Sequence, residues 1–194
     1  RAEGALVKYA DYRDEVPAPS EEATAVAVIY ASGPIVSGDG SEGGPFGPEG
    51  AISGHLVRAF DQALENDDTA AIVLRINSPG GSYVASDVIR RQIERARGKG
   101  VPVVASMGDV AASGGYFLAV EADKIVAEPA TVTGSIGVVS GKFVMEGLFD
   151  QIGLNFDGVE AGRHATMMSP DRDFTPEEWG RLQANLDAVY ADFT

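Results

Sequence analysis

The chain has no cysteine among its 194 residues, which excludes disulfides, thiol catalysis and thiolate metal sites, and leaves the compartment open. Histidine occurs only at His55 and His164, with no close carboxylate–histidine motif, so no metal site is expected. Basic residues are scarce: 15 Lys and Arg stand against 29 Asp and Glu, a formal net charge of -14. Phosphate backbones and anionic bilayer surfaces would be repelled, so nucleic acid is not an expected partner. No apolar run reaches the ~18 residues of a membrane span, and no secretory leader is visible, so any membrane anchor is expected outside these residues. The phosphate-cradling patterns Gly-x-Gly-x-x-Gly and Gly-x-x-x-x-Gly-Lys-Ser/Thr are both missing, as is a Gly-x-Ser-x-Gly elbow. No cofactor is implied.

Small and apolar residues are abundant, with 24 glycines and 44% hydrophobic content. Residues 1–24 are polar and acidic, with Pro17, Pro19 and Ser20-Glu21-Glu22, and read as a linker or lead-in. Residues 25–194 read as a single domain. Apolar runs at Ala25–Tyr30, Ala70–Ile76 and Val101–Ala105 predict buried strands, the first apolar on both faces. Helical spacing predicts helices over Ile52–Leu64 and over Val84–Ala96, the latter with Val84, Val88, Ile89 and Ile93 inward and its charges solvated. A small-residue helix is predicted over Ala112–Ala122, and another helix over Phe143–Ile152. Short strands are predicted at Lys124–Ala127 and Asn155–Val159. Ser37–Gly50 reads as a glycine- and proline-rich loop. Thr175-Pro176-Glu177-Glu178 opens the last helix with a cap, a first-turn proline and two acids. Its Trp179, Leu182, Leu186, Val189, Tyr190 and Phe193 fall at helical spacing and are expected to pack on the domain's own core. Strand–helix alternation implies an α/β fold of repeated βαβ crossovers and a mostly parallel sheet flanked by helices.

Two glycine-rich corners, Asn77-Ser78-Pro79-Gly80-Gly81 and Ala112-Ser113-Gly114-Gly115, each follow a strand and precede a helix. If their strands are neighbours, the corners meet at one sheet edge, the carboxyl end where α/β sheets place their sites. Gly81 and Gly114 would then offer two N–H groups to one oxygen beside Ser113. The plainer alternative makes Ser113 a helix cap beside a tight turn.

Three ordered motifs carry a resemblance. Arg75-Ile76-Asn77-Ser78-Pro79-Gly80-Gly81-Ser82, then Ser106-Met107-Gly108 with Ala111-Ala112-Ser113-Gly114-Gly115-Tyr116, then Thr133-Gly134-Ser135-Ile136-Gly137 are similar to the signal peptide peptidase A family. These are bacterial membrane-anchored serine proteases of the ClpP/crotonase fold. The resemblance implies Ser113 as nucleophile, Gly81 and Gly114 as oxyanion donors, and Ser135 as the hydroxyl that orients the general base. It further implies a Ser/Lys dyad, hydrophobic peptides such as cleaved signal peptides as substrates, and a homo-oligomer, tetrameric in the long two-half form. The implied location is the periplasmic or other extracytoplasmic face of the inner membrane.

One departure stands out. In short members the base lysine lies in a stretch resembling Gly162-Arg163-His164-Ala165-Thr166-Met167-Met168-Ser169-Pro170, and alignment puts Ala165 in its place. Either the chain is the carboxyl-terminal half of a long member whose other half brings the lysine, or the lysine has been replaced in a short one. The abrupt start and acidic lead-in favour the first. The chain's own lysines are Lys8, Lys99, Lys124 and Lys142. Lys99 and Lys124 are expected at the far end of the sheet; Lys8 and Lys142 stay open as bases, with a surface charge the favoured reading of each. His164 is an alternative base, though without an evident Asp partner it reads as structural. Two other functions compete: a catalytically silent peptide-binding scaffold, and a crotonase-type acyl-CoA enzyme, which needs no serine here.

Overall fold

The computed structural model describes residues 24–39 and 49–194; the predicted lead-in up to residue 23, Lys8 with it, and most of the predicted loop lie outside them. Strands β1 (Ala25–Ser32), β4 (Thr69–Ser78), β5 (Val103–Ala112) and β6 (Lys124–Val126) lie side by side in that order, with β7 (Val132–Gly134) pairing the far end of β5. Every pairing is parallel. A second, two-stranded parallel ladder joins β2 (Ile35–Val36) to β3 (Ala51–Ile52). The helices are α1 (Ser53–Glu65), α2 (Tyr83–Gly98), α3 (Gly114–Ala119), α4 (Glu146–Ile152) and α5 (Pro176–Phe193). The mostly parallel sheet flanked by helices is the architecture expected from the alternation of elements.

The core forms on one face of the sheet. Ile29 and Ala31 of β1, Ile72, Leu74 and Ile76 of β4, and Val103, Ala105 and Met107 of β5 are buried with Leu56 and Phe60 of α1 and Ile89 and Ile93 of α2. Alternation along a strand sends the intervening residues the other way. Val26, Val28 and Tyr30 are therefore 56%, 51% and 68% exposed, so β1 is not the doubly buried strand its apolar run suggested. It is the sheet's edge, with helices packed on its other face.

Other boundaries shift for local reasons. β5 continues to Ala112, so the small-residue helix is only Gly114–Ala119. The helix expected from Phe143 begins at Glu146, and Asn155–Val159 forms no strand. Val84 and Val88 of α2 are 65% and 38% exposed, so only Ile89 and Ile93 of the expected inward set are buried. Conversely, the charges of α2 are not all solvated. The Arg90 side chain is 17% exposed and bonds Asp87, Glu94 and Glu121. The opening of α5 is as predicted: Thr175 and Glu178 form a reciprocal capping box with Pro176 in the first turn. Of its apolar residues only Leu182 is buried, while Trp179 and Tyr190 are 56% and 49% exposed.

Candidate active site

Both glycine corners fall at the carboxyl ends of adjacent strands, since β4 and β5 pair in register from Ile72↔Val103 to Ile76↔Met107. The ladder then jumps to Ser78↔Ala111, leaving Gly108, Asp109 and Val110 opposite Asn77 alone. Asn77 spans this bulge, its Oδ1 accepting from the Val110 N–H at 3.1 Å. Arg75 ties the two strands just before it, donating from one Nη to Ser106 Oγ and to the Met107 carbonyl, both at 2.9 Å.

The first corner is held by β2. Ile35 donates its N–H to the Gly80 carbonyl at 2.8 Å, and its own carbonyl accepts from the Ser82 N–H at 2.9 Å. This bridge uses the groups flanking Gly81, so the amide of Gly81 itself faces the opposite way. Only glycine fits there: φ is +152°, and a Cβ would lie 2.2 Å from the Ile35 carbonyl oxygen. Ser82 then caps α2, accepting from the Ala85 N–H.

The second corner closes on the first. A Cβ on Gly80 would stand 2.8 Å from the Gly114 nitrogen and 2.9 Å from the Ser113 Cβ. One on Gly114 would stand 3.3 Å from the Gly81 nitrogen. The two amides expected to act together are thus neighbours, and Gly114 opens α3, where first-turn N–H groups have no partner within the helix. Ser113 sits between β5 and α3 at φ 50°, ψ -121°, a conformation rarely adopted outside glycine. Such strain costs roughly 1–3 kcal/mol and persists only where the surroundings impose it. Here they do: the Ser113 N–H donates to the Gly134 carbonyl at 2.8 Å and its carbonyl accepts from the Phe117 N–H at 2.9 Å. Ser135, next along from Gly134, is the other non-glycine residue with positive φ among the described residues, at 53°.

Ser113, Ser135, Gly81 and Gly114 line one cavity of about 360 Å³. Its remaining walls, which sequence reasoning did not locate, include Tyr83, Phe117, Val138, Val139, Val189 and Phe193. Val138 and Val139 directly follow the Thr133–Gly137 motif, a signal that was there to be read. Nothing local marks Phe193, whose ring meets Phe117 edge-on at 5.0 Å. Tyr83 is the cavity's titratable wall residue, and its hydroxyl donates to the Asp192 carboxylate. That hydrogen bond, followed by burial and the Asp192 charge, pushes its pKa up to about 12, so it stays neutral and takes no proton.

No lysine or histidine lines the cavity among the described residues. Ala165 is exposed in a turn where its N–H donates to the Gly162 carbonyl at 3.3 Å, and it does not line the cavity. His164 does not line it either. It lies 3.6 Å from a Glu177 oxygen, the acidic partner its sequence surroundings did not reveal. Lys124 pairs with Val104 near the amino end of β5, and Lys99 precedes that strand, so both lie at the end opposite Ser113. Lys142 is not a free surface charge. Its Nζ donates to the Met167 and Ser169 carbonyls at 2.8 and 3.0 Å and stands over the Phe174 ring. Among the described residues no His/Asp/Glu cluster could hold a metal, and no helix is long and apolar enough to cross a membrane.

The chain is 37% identical over 187 residues to "Protease 4" of Salmonella typhi, covering 96% of this chain and 29% of that protein. It is 39% identical over 171 residues to the chloroplastic serine protease SPPA of Arabidopsis thaliana, covering 87% of this chain and 24% of that protein. The chain thus spans under a third of each relative's length. Among solved structures, a membrane-bound stomatin-specific protease, a mutant in complex with a substrate peptide, aligns with TM-score 0.49 and 17% identity, over 86% of this chain and 59% of that one. Residues 95–194, just over half of the chain, match Peptidase family S49, and the chain belongs to that family.

Proposed function

We propose that this chain is the nucleophile-bearing part of a serine endopeptidase that cleaves hydrophobic peptides, cleaved signal peptides among them. The observation that carries the proposal is the meeting of Ser113, Gly81, Gly114 and Ser135 on one cavity that Phe117, Val138, Val139, Val189 and Phe193 also line. In this reading Ser113 Oγ attacks a peptide carbonyl carbon as its proton passes to a neutral lysine amine. The carbonyl oxygen becomes an anion held by the Gly81 and Gly114 N–H groups. Collapse expels the amine of the departing peptide, which takes the proton from the lysine. Water then attacks the Ser113 ester by the same route and frees the acid. Ser135 orients the lysine, which burial keeps neutral at working pH.

The lysine comes from outside the described residues, from another part of a longer polypeptide. Ala165 and the absence of any lysine on the described cavity wall support this. A homo-oligomer, tetrameric by family resemblance, fits the apolar side chains left uncovered beyond α3, where Val139 and Phe143 are 94% and 88% exposed. The assembly would face the periplasm or another extracytoplasmic space from an anchor elsewhere in the polypeptide.

The experiment is fluorophosphonate labelling and apolar-peptide cleavage with the full-length protein, its Ser113→Ala variant, and residues 1–194 with and without Ala165→Lys. Labelling that needs Ser113 and is far slower in residues 1–194 is expected. Labelling of the Ser113→Ala protein at the normal rate would overturn the assignment. Because no lysine or histidine among the described residues lines the cavity, a silent peptide-binding scaffold is the second reading; tight peptide binding without turnover by the full-length protein would favour it.

A further inference from the structure

The cavity's farthest-travelled wall comes from the last turn of α5. Val189 and Phe193 line it, although Ser113 lies some eighty residues earlier in the chain. That turn is weakly embedded, since the buried residues of α5, Glu178 and Leu182, are all in its first half. Two ties fix its end. Phe193 packs edge-on to Phe117 at 5.0 Å and lies 6.2 Å from the Tyr116 ring, so it meets α3 directly after the nucleophile's turn. Next to it, Asp192 accepts the Tyr83 hydroxyl from the first residue of α2, and the Tyr83 ring stands 5.8 Å from Phe117. Arg90 backs the same cluster, its guanidinium 5.4 Å from the centre of the Phe117 ring. Tyr83 thus lines the cavity and holds the helix end with its hydroxyl.

We propose that Phe193 is the stop that sets the size of side chain accepted beside Ser113, and that Tyr83 is a positioning residue that holds this stop through Asp192. The inference rests on the peptidase reading and adds the residues that determine specificity. The ligand is an unbranched or branched apolar side chain on the residue whose carbonyl faces Ser113. Pockets of this kind discriminate by the space left for each added carbon, where a single methylene is commonly worth about tenfold or more.

The test is independent of turnover. Fluorescent N-acetylated tetrapeptides ending in Ala, Val, Leu or Phe, which correspond to cleavage products, are titrated against the full-length protein by anisotropy. Phe193→Ala should raise the Phe-over-Ala affinity ratio by at least about tenfold, and the milder Phe193→Leu should move it the same way. Tyr83→Phe, which keeps the ring and loses only the hydroxyl, should flatten the preference across the series. Asp192→Asn, which still offers an oxygen acceptor, should preserve it. Unchanged ratios in both Phe193 variants, with melting temperatures near wild type, would overturn the stop. Tyr83→Phe that lowers only the melting temperature would overturn the positioning role. Fluorophosphonate labelling of Ser113 in the same preparations reports on the peptidase reading separately, so the two can fail independently.

Discussion

The backbone N–H of Ser113 donates to the Gly134 carbonyl at 2.8 Å. The bond continues the β5–β7 ladder, in which Ala112 pairs with Gly134, one step past its last strand pair. It fixes Ser113 in its strained conformation and brings Ser135 to the same cavity. Sequence spacing alone does not announce that pairing, because more than twenty residues and strand β6 intervene.

Ser135→Ala follows directly. Ser135 is exposed and outside the core, so the variant should melt close to wild type. If Ser135 orients the base, peptide cleavage by the full-length protein should fall about a hundredfold in kcat with little change in KM. Steady-state kinetics across a peptide series checks this. A loss confined to KM would give Ser135 a binding role instead.

Gly81 and Gly100 form a matched pair of positive-φ glycines. Gly81→Ala puts a Cβ 2.2 Å from the Ile35 carbonyl oxygen, whereas Gly100→Ala, at φ +81°, meets nothing within 4 Å. The first variant should lose about 2 kcal/mol or more, from clash plus strain, and the second about 1 kcal/mol from strain alone. Urea midpoints at constant slope measure both. Equal losses would mean that β2 gives way to the new methyl group.

The glycine corners were legible because the positive φ of Gly80 and Gly81 is a local demand, whereas the contacts that require Gly114 and Gly115, with Ser86 Oγ and the Ser78 carbonyl, are not. The capping box of α5 was legible for the same reason, since Thr175 and Glu178 are one helical turn apart. What could not be read depends on distant pairings. The Tyr83–Asp192 bond joins residues 109 apart. The exposure of Val26 and Val28 depends on β1 being the sheet's edge, a fact of strand order rather than of composition. Lys142 looked like a surface charge until the carbonyls of Met167 and Ser169 folded onto it.

Glu178 gives the fold an acid limit. Arg172 grips its carboxylate with two bonds, at 2.7 and 2.8 Å, and the Thr175 N–H adds a third at 2.8 Å. Arg172 first, then the Thr175 backbone, bring its pKa down from the ordinary 4.5 to about 2. A carboxyl with a lowered folded-state value favours the fold fully above 4.5, and that contribution fades as pH falls toward 2. Glu178→Gln should therefore lower the melting temperature at pH 7, and the gap from wild type should narrow below about pH 4. Thermal melts from pH 7 to pH 3 test the sign; a gap that widens in acid would contradict it.

Lys142 is predicted to hold the loop that carries Ala165. Its ammonium bonds the Met167 and Ser169 carbonyls at 2.8 and 3.0 Å, and the Phe174 ring covers it at 4.3 Å. Within the loop, the Met167 N–H reaches the His164 carbonyl and the Ser169 N–H that of Thr166, at 3.2 and 2.9 Å, so its own backbone bonds are those of turns and not of a strand or helix. Lys142→Met keeps the stem of the side chain and removes both charged hydrogen bonds, each worth roughly 1.5–3 kcal/mol to the groups it joins. The effect should be local, because the loop contributes nothing to the buried cluster of the sheet. Amide exchange at Met167 and Ser169 should accelerate at least about tenfold, while global stability changes by less than about 1 kcal/mol. Native-state hydrogen exchange resolves the two. If the loop amides keep their protection, the anchor is instead Arg172, whose Nη2 also donates to Thr166 Oγ1 at 3.2 Å, and Arg172→Ala should then produce the same local opening.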